Sequence, residues 1–251
     1  MRWLLMSPYV RLWLKNALRA CLRPKHLHYL GCDFDLHLRD NYSEYSLWLN
    51  GSAPEDTAIR YLCNKLAGKE MTLVDIGANA GVFGLPILRA AGPNAQYLGL
   101  EPNPQLADRL QSNIKRNNFE NAVVLRHAIS DVTGETQLFF PRGHNLGQGR
   151  LGKQYSGRSY RQPLPVTTKI LSDCLKEYRF SRVDLLKVDV EGAEDRVIFP
   201  LLSQAKINWP ERIYFEVAHQ QNWKYPLLDK LRECGYVLEQ DFGENHLYQR
   251  Q

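Results

Sequence analysis

The sequence DIGANAG, residues 75–81, lies at the end of a short apolar run and contains two glycines and two polar residues. Glycine lets the backbone turn sharply and approach a ligand closely. A helix that begins behind such a turn offers free backbone amides and a partial positive charge. Asp75, at the end of the run, is expected to direct its carboxylate into the crevice at the carboxyl edge of a sheet. The pattern predicts a small-molecule site with Gly77 and Gly81 in its loop.

The spacing of these glycines argues against a dinucleotide. Gly77, Gly81 and Gly84 do not match G-x-G-x-x-G, and a carboxylate at Asp75 would repel a pyrophosphate. It suits a ligand that carries positive charge, such as a sulfonium amino acid. Glu101 lies 24 residues after Gly77, where an acidic residue can bind ribose hydroxyls. S-adenosylmethionine, which has a ribose and no pyrophosphate, fits both conditions.

A second acidic segment, KVDVEGAED, ends another apolar run. Asp189 shares a strand face with Lys187 by the two-residue period. Because a buried lysine must be paired, we expect these two residues to interact. Asp189 and Glu191 are candidate catalytic residues beside the crevice. Glu194 and Asp195 suit the first turn of a helix electrostatically, so we expect them to cap it.

Glu216 and His219 leave the apolar run RIYFEVAH three residues apart. Either group could deprotonate a substrate hydroxyl, which makes both of them candidate catalytic residues. A histidine near a strand end can also be purely structural. With Asp189 they could hold a divalent metal, but the sequence offers no dedicated loop of oxygen ligands to support one.

Residues 141–165 are rich in glycine and proline, which disfavours regular structure, and they carry five basic residues and no acid. An insert of this length without secondary structure is usually functional or disordered. One interpretation is a solvated mobile loop. The other is a lid whose Arg150, Lys153 and Arg158 bind phosphate or carboxylate groups of a substrate.

Seven apolar runs alternate with helical patterns from residue 71 onward. Helices are expected over 82–91, from Pro104 after a cap at Asn103, and over 226–234 before Gly235. This alternation predicts a mainly parallel sheet covered by helices on both faces. The runs are MTLVDIG (71–77), QYLGLEP (96–102), AVVLRHAIS (122–130), DLLKVDVEG (184–192), RIYFEVAH (212–219), YVLEQDF (236–242) and HLYQR (246–250).

Residues 1–27 form a basic amphipathic stretch with four basic residues on the stripe opposite its apolar face. Pro24 is expected to end this helix. Three interpretations are open: a helix packed on the domain, a helix lying in a membrane interface, and a targeting peptide. The predicted division is a helix and lead-in over 1–40 and a catalytic domain over 41–251.

The composition, 44% hydrophobic and 24% charged, is that of an ordinary folded domain, and the apolar runs are far too short to span a membrane. The net charge of +5 arises from residues 1–32, which hold six basic residues and no acid. The rest is close to neutral, which argues against nucleic acid as a partner.

Five scattered cysteines without CxxC favour a reducing compartment. We expect a cytoplasmic location, with peripheral membrane contact open through the N-terminal stretch.

Taken together, several segments resemble the FkbM family of S-adenosylmethionine-dependent methyltransferases. The likeness covers about residues 40–250, and DIGAN and KVDVEGAE are its most specific pieces. The order and separation of the segments agree with the family. They are VDIGANAGVFGL (74–85), LEPNP (100–104), AISDVTGE (128–135), LLKVDVEGAEDRVI (185–198), FEVAH (215–219) and ECGY (233–236).

The resemblance implies an α/β, Rossmann-like class I methyltransferase with a mainly parallel seven-stranded sheet, an antiparallel last strand and helices on both faces. It implies S-adenosyl-L-methionine as the cofactor and S-adenosyl-L-homocysteine as its product. The residues that it places against the methionine, ribose and adenine parts of the cofactor, or beside it, are Asp75, Gly77, Ala78, Asn79, Gly81, Glu101, Asn103, Ala128, Ile129 and Asp189.

The resemblance also implies O-methylation of a hydroxyl on a sugar, glycan or glycosylated metabolite. A general base, hypothetically His219 or Asp189, would take the proton of that hydroxyl. The basic insert favours an acidic or phosphorylated acceptor. Two alternatives stay open. One is a nicotinamide-dependent oxidoreductase, with which Glu101 is compatible. The other is a non-catalytic S-adenosylmethionine-binding module that the N-terminal helix recruits to membranes.

Overall fold

The structure, a computed structural model, describes residues 23–141, 145–152, 162–206 and 209–251. Its strands are β1 (Lys25–Tyr29), β2 (Cys32–Leu36), β3 (Thr72–Ile76), β4 (Gln96–Leu100), β5 (Ala122–Leu125), β6 (Ala128–Ile129), β7 (Gly134–Phe139), β8 (Arg150–Leu151), β9 (Leu164–Lys169), β10 (Leu185–Val188), β11 (Arg212–Glu216), β12 (Tyr236–Asp241) and β13 (Asn245–Arg250). Its α-helices are α1 (Tyr42–Asn50), α2 (Asp56–Leu66), α3 (Gly84–Ala91), α4 (Pro104–Arg116), α5 (Leu171–Glu177), α6 (Glu194–Leu202) and α7 (Leu227–Glu233).

A seven-stranded sheet with the order β12-β13-β11-β10-β3-β4-β5 forms the centre of the molecule. The strands from β11 to β5 are parallel, and β13 runs antiparallel to both β11 and β12. Six of these strands fall within predicted apolar runs, and β13 begins one residue before its run. The predicted mainly parallel sheet with an antiparallel last strand is therefore confirmed.

The two faces of this sheet pack into separate hydrophobic cores. Leu73 and Leu185 belong to the core that includes α2 and α3, whereas Val74 and Leu186 belong to the core with α5, α6 and α7. This separation follows from the two-residue period of a strand. The same period places residues 75 and 187, which are register partners between β3 and β10, on the first face.

The helix that follows β4 begins as its sequence predicts. The side chain of Asn103 accepts a hydrogen bond from the backbone N–H of Gln105 at 3.0 Å, and Pro104 occupies the first turn. Proline fits there because its missing N–H would have no partner within the helix. The start of α4 is thereby fixed directly behind the end of β4.

A second, smaller sheet has the strand order β6-β9-β7-β8, and the sequence did not predict it. The run AVVLRHAIS was predicted as one strand, and this is wrong. Strand β5 ends at Leu125, and β6 pairs with β9 in the second sheet. Ala128 packs there with Leu138 and Phe140 in a third hydrophobic cluster. The chain crosses between the two sheets at residues 126–127.

The expectation that residues 141–165 lack regular structure is also wrong for their described part. Residues Leu146–Gln148 form a 3₁₀ turn, and β8 pairs with β7. Leu146 and Leu151 explain this order, because their side chains pack into the same apolar cluster as Leu138. The backbone N–H of Leu146 also donates to Asp40 O at 2.7 Å.

The segment before α1 packs onto the domain as a hairpin of β1 and β2. The backbone N–H of Asp33 donates to Asn117 Oδ1 at 2.8 Å, and that of Asp35 donates to Asn113 Oδ1 at 3.0 Å. Asn113 lies on α4 and Asn117 caps its end. The predicted basic helix lies outside the described residues up to residue 22, and strand β1 begins at residue 25.

Candidate functional site

The loop after β3 contains backbone positions that require glycine. Gly77 has a φ of 71°, and a Cβ atom there would lie 1.9 Å from the backbone oxygen of Asp189. Gly81 has a φ of 85°, and its Cβ would lie 2.7 Å from a side-chain atom of Leu110. Asn79, with a φ of 53°, is of a residue type that tolerates this conformation. The loop therefore lies directly against the end of β10.

Glu101, just after β4, holds this loop through both of its carboxylate oxygens. Oε2 accepts a hydrogen bond from the backbone N–H of Asn79 at 2.9 Å, and Oε1 accepts one from Asn103 N–H at 2.9 Å. A carboxylate has about four lone-pair positions, so Glu101 can still accept hydrogen bonds from ribose hydroxyls. Burial raises the pKa of Glu101 to about 7, against the effect of the two backbone donors.

A cleft opens where β3, β4 and β10 end. We call it the cofactor cleft. The described insert contributes Leu146 and Gly147 to its wall, and a Cβ at Gly147 would lie 2.6 Å from Asn79 Nδ2. The predicted cofactor residues that line the cleft are Gly77, Asn79, Glu101, Ala128, Ile129 and Asp189.

Three other predicted cofactor residues lie behind the wall of this cleft. The carboxylate of Asp75 does not point into the crevice as expected: it is fully buried and accepts a hydrogen bond from Tyr97 Oη at 3.0 Å. Its position in β3 directs it toward the core instead. Gly81 packs against α3 and α4, and the side chain of Asn103 caps α4. Their contact with a cofactor stays a prediction.

Lys187 connects the buried Asp75 to the half-buried Asp189. Its Nζ lies 3.3 Å from Asp75 Oδ1 and 3.5 Å from Asp189 Oδ2, and it donates to the backbone oxygen of Gly77 at 2.8 Å. Burial alone would lower the pKa of Lys187, but the two carboxylates outweigh it and raise that pKa above its usual value. The predicted pairing of Lys187 with Asp189 is confirmed.

A second cleft of about 560 Å³ adjoins the first, and we call it the arginine cleft. Leu151, Val190 and Glu191 line both of them. The residues that line only the arginine cleft are Ser130, Arg150, Gly192, Ala193, Arg196 and Asn222. The segment that follows Asp189 therefore separates the two spaces.

Glu191 belongs to this separating segment, in the left-handed region with a φ of 60°. Its Oε2 atom lies 3.6 Å from Arg150 Nη2. Burial raises the pKa of Glu191 to about 7, and the charge of Asp189 adds to the rise while Arg150 opposes it. The carboxyl group is therefore partly protonated near neutral pH.

His219 is held by an arginine. Nη2 of Arg150 lies 3.2 Å from His219 Nε2, and a guanidinium can only donate. His219 Nε2 is therefore the acceptor, which assigns the proton of a neutral ring to Nδ1. Glu216 Oε1 lies 3.9 Å from the same nitrogen. Burial, together with Asp189 and other acids, raises the pKa of Glu216 to about 8, so this carboxyl group is largely protonated at neutral pH.

The two acidic residues in the first turn of α6 make different contacts. Glu194 Oε1 accepts hydrogen bonds from the backbone N–H groups of Val190 at 3.2 Å and Gly192 at 3.0 Å, which fits the expected capping role. Asp195 Oδ2 instead accepts from the N–H groups of Lys224 and Tyr225. Asp195 thus fixes the chain before α7 rather than the end of its own helix.

One acidic residue at the site, Glu55, was not among the predicted residues. Glu55, just before α2, lines a cleft of about 370 Å³ together with Ala78 and Asp189. Tyr214 Oη donates to Glu55 Oε1 at 2.8 Å. Burial and the charge of Asp189 raise the pKa of Glu55 to about 7. No motif surrounds Glu55 in the sequence, and only the fold brings it to the loop after β3.

Two of the predicted substrate-binding residues, Lys153 and Arg158, lie outside the described residues, whereas Arg150 lines the arginine cleft. Among the residues that the structure describes, no group of three or more His, Cys, Asp and Glu side chains could hold a metal ion. None of the helices in the described ranges combines the length and apolar character needed to cross a membrane.

The sheet order, the glycine loop after the central strand and the acid after its neighbour define a class I methyltransferase fold. Methyltransferase FkbM from Methylobacillus flagellatus KT superimposes with a TM-score of 0.50 at 14% identity, covering 84% of this chain and 55% of that one. The MTase domain of METTL16 also gives a TM-score of 0.50, at 17% identity, covering 88% and 74%. At these identities the likeness shows the fold alone.

Sequence comparison narrows this class to one family. The family model described as "Methyltransferase FkbM domain" matches residues 75–238, and the chain belongs to that family. The predicted membership is confirmed.

Two curated relatives are similar over about half of the chain. Methyltransferase sdnD of Sordaria araneosa is 34% identical over 155 residues, which cover 50% of this chain and 58% of sdnD. The 2-O-methyltransferase NoeI of Sinorhizobium fredii (strain NBRC 101917 / NGR234) is 28% identical over 150 residues, which cover 55% of this chain and 60% of NoeI. The chain thus matches less than two thirds of the length of either relative.

Proposed function

We propose that this protein is an S-adenosylmethionine-dependent methyltransferase that methylates a hydroxyl oxygen on a sugar, glycan or glycosylated metabolite. The observation that carries the proposal is the carboxylate of Glu101, held by two backbone amides in a cleft that Asp189 also lines. Membership of the FkbM family supports methyl transfer. The name of the relative NoeI, a 2-O-methyltransferase, supports oxygen as the acceptor atom.

The residues of the cofactor cleft fit S-adenosylmethionine. Glu101 retains acceptor capacity for two ribose hydroxyls. Ala128, Ile129 and Leu138 form an apolar wall suited to adenine. Gly147 lets the insert approach Asn79, where a side chain would intrude. When bound, this cofactor supplies an electrophilic methyl group next to a sulfonium charge.

Asp189 is the side chain best placed to receive the proton of the acceptor hydroxyl. It lines the cofactor cleft and begins the segment that the arginine cleft shares. Lys187 Nζ lies 3.5 Å from the Oδ2 atom of Asp189. The competing candidates are less suited: Arg150 occupies the accepting nitrogen of His219 and pairs with Glu191 at 3.6 Å, and Glu216 is largely protonated. Aligning the acceptor oxygen at near-attack distance is the other task of these residues.

The proposal is tested by incubating the protein with isotopically methyl-labelled S-adenosylmethionine and a panel of sugars, oligosaccharides and glycosides. We expect label in an acceptor fraction, and nuclear magnetic resonance should place the new methyl group on oxygen. A methyl group on nitrogen would overturn O-methylation but keep methyl transfer. Failure of the protein to bind S-adenosylhomocysteine would overturn both.

A further inference from the structure

We propose that the arginine cleft binds the acceptor through an anionic group, a carboxylate or a phosphate, and that Arg196 holds it together with Arg150. The inference deepens the proposed function, because it takes this cleft as the acceptor side of the site. It names the class of acceptor as an acidic or phosphorylated sugar derivative.

The first support is geometric. Arg196 lies on α6 and Arg150 lies on β8, and both line the arginine cleft. Both residues are half-buried, so they are only partly hydrated. A guanidinium presents parallel N–H donors that match a carboxylate or phosphate, which makes arginine a suitable residue for such groups.

The second support is the balance of charge. Arg150 has Glu191 at 3.6 Å, whereas Arg196 has no side-chain hydrogen bond or ion pair within the part of the chain that the structure describes. The undescribed segments cannot supply its counter-charge, since none of their residues is Asp or Glu. Two arginines therefore face one carboxyl group, that of Glu191, whose pKa burial raises to about 7.

The remaining lining of the cleft fits the rest of a sugar. Ser130 and Asn222 contribute polar side chains that can bond hydroxyl groups. The wall shared with the cofactor cleft, Val190 and Glu191, follows directly on Asp189. An acceptor anchored by its anion on Arg196 would thus reach toward the proposed base.

The experiment measures binding of three probes to the protein saturated with S-adenosylhomocysteine: glucose, glucuronic acid and glucose 6-phosphate. Isothermal titration is carried out on the wild type, on Arg196→Gln, and on Arg232→Gln as a matched control. Arg232 is an exposed helical arginine outside both clefts. Glutamine keeps much of the side-chain length and removes the charge, and the thermal shift with S-adenosylhomocysteine verifies that each variant is folded and binds cofactor product.

We expect at least one charged probe to bind the wild type about 10-fold or more tighter than glucose. Arg196→Gln should remove most of that preference, while Arg232→Gln should keep it. Whichever charged probe binds more tightly relative to glucose identifies the preferred anion as a carboxylate or a phosphate. Equal or absent binding of charged and neutral probes, or an Arg196→Gln variant that keeps the preference, would overturn the inference. A wild type that does not bind S-adenosylhomocysteine would instead overturn the proposed function.

Discussion

Four ionisable side chains at the site could take a proton, and their surroundings distinguish them. Glu191 pairs with Arg150 at 3.6 Å. Asp189 is 38% exposed and faces the cofactor cleft beside the ammonium of Lys187. His219 accepts from Arg150, and Glu216 has a pKa raised to about 8. A group that already accepts a strong donor, or already carries its proton, is a poor base in that state. At the scale of single residues, Asp189 is therefore the expected base.

Asp189→Asn should lower the single-turnover rate of S-adenosylhomocysteine formation by about 10²- to 10⁴-fold, the usual contribution of a general base. His219→Ala should lower it by less than about 10-fold, because its role here is to position Arg150. The rates are measured with any acceptor that the wild type methylates, after binding of S-adenosylhomocysteine by each variant has been verified. A larger loss in His219→Ala than in Asp189→Asn would assign the base to the histidine.

At the scale of elements, the site depends on how closely the loop after β3 approaches the end of β10. Gly77 and Gly68 both have positive φ angles, 71° and 67°, but their surroundings differ. A Cβ at Gly77 would lie 1.9 Å from Asp189 O, whereas one at Gly68 would meet nothing within 4 Å. Alanine variants at these two positions therefore separate the free-energy cost of steric overlap from the free-energy cost of a left-handed backbone conformation.

Gly77→Ala should lower the free energy of unfolding by about 3 kcal/mol or more, since it adds overpacking to left-handed strain. Gly68→Ala should lower it by only about 1–2 kcal/mol. Urea denaturation of both variants measures the difference. Equal destabilisation would show that the loop does not need the close approach of Gly77 to β10.

The sequence predicts those elements whose pattern is local. The seven apolar runs gave the central sheet, and Asn103 followed by Pro104 gave the start of α4. The prediction that the Asp75 side chain points into the crevice is wrong, although the two-residue period of β3 places Asp75 on the same face as Leu73. That period shows which face a residue takes but not which face lines the crevice.

The second sheet was not predicted because two of its strands, β6 and β8, have only two residues each, and because β9 pairs with strands far away in the chain. β8 has two residues among many glycines, and only pairing with β7 and the packing of Leu146 and Leu151 order it. Glu55 was not predicted for a similar reason, because only the position of α2 brings it to the loop after β3. No role was predicted for Arg196, which the fold places in the lining of the arginine cleft together with Arg150.

At the scale of the whole molecule, buried carboxyl groups give the ligand-free protein an unusual dependence on pH. The pKa values of Glu55, Glu101 and Glu191 are raised to about 7, and that of Glu216 to about 8. In the unfolded chain a glutamate titrates near 4.3. Between these values the folded state binds more protons than the unfolded state, so stability falls as pH rises.

The melting temperature of the ligand-free protein should therefore fall between pH 5 and pH 8. Glu216→Gln should flatten this slope, because it removes one group that is protonated only in the folded state. Glu233→Gln, at an exposed position on α7, should leave the slope unchanged. Differential scanning calorimetry at several pH values tests the prediction, and a melting temperature that rises toward pH 8 would contradict it.

The proposed function requires the cofactor cleft to bind S-adenosylmethionine through Glu101. It is tested most directly by thermal-shift titrations with S-adenosylhomocysteine, NAD and NADP on the wild type, Glu101→Gln and the exposed control Glu120→Gln. A ligand at 100 times its dissociation constant stabilises by about 2.7 kcal/mol, which is a shift of about 5–10 °C for a protein of this size.

We expect S-adenosylhomocysteine alone to shift the melting temperature of the wild type and of Glu120→Gln. In Glu101→Gln the titration should move to concentrations about 10-fold higher or more, since a hydrogen bond to a charged group is worth about 1.5–3 kcal/mol. A shift with a nicotinamide dinucleotide and none with S-adenosylhomocysteine, or an unchanged titration in Glu101→Gln, would contradict it.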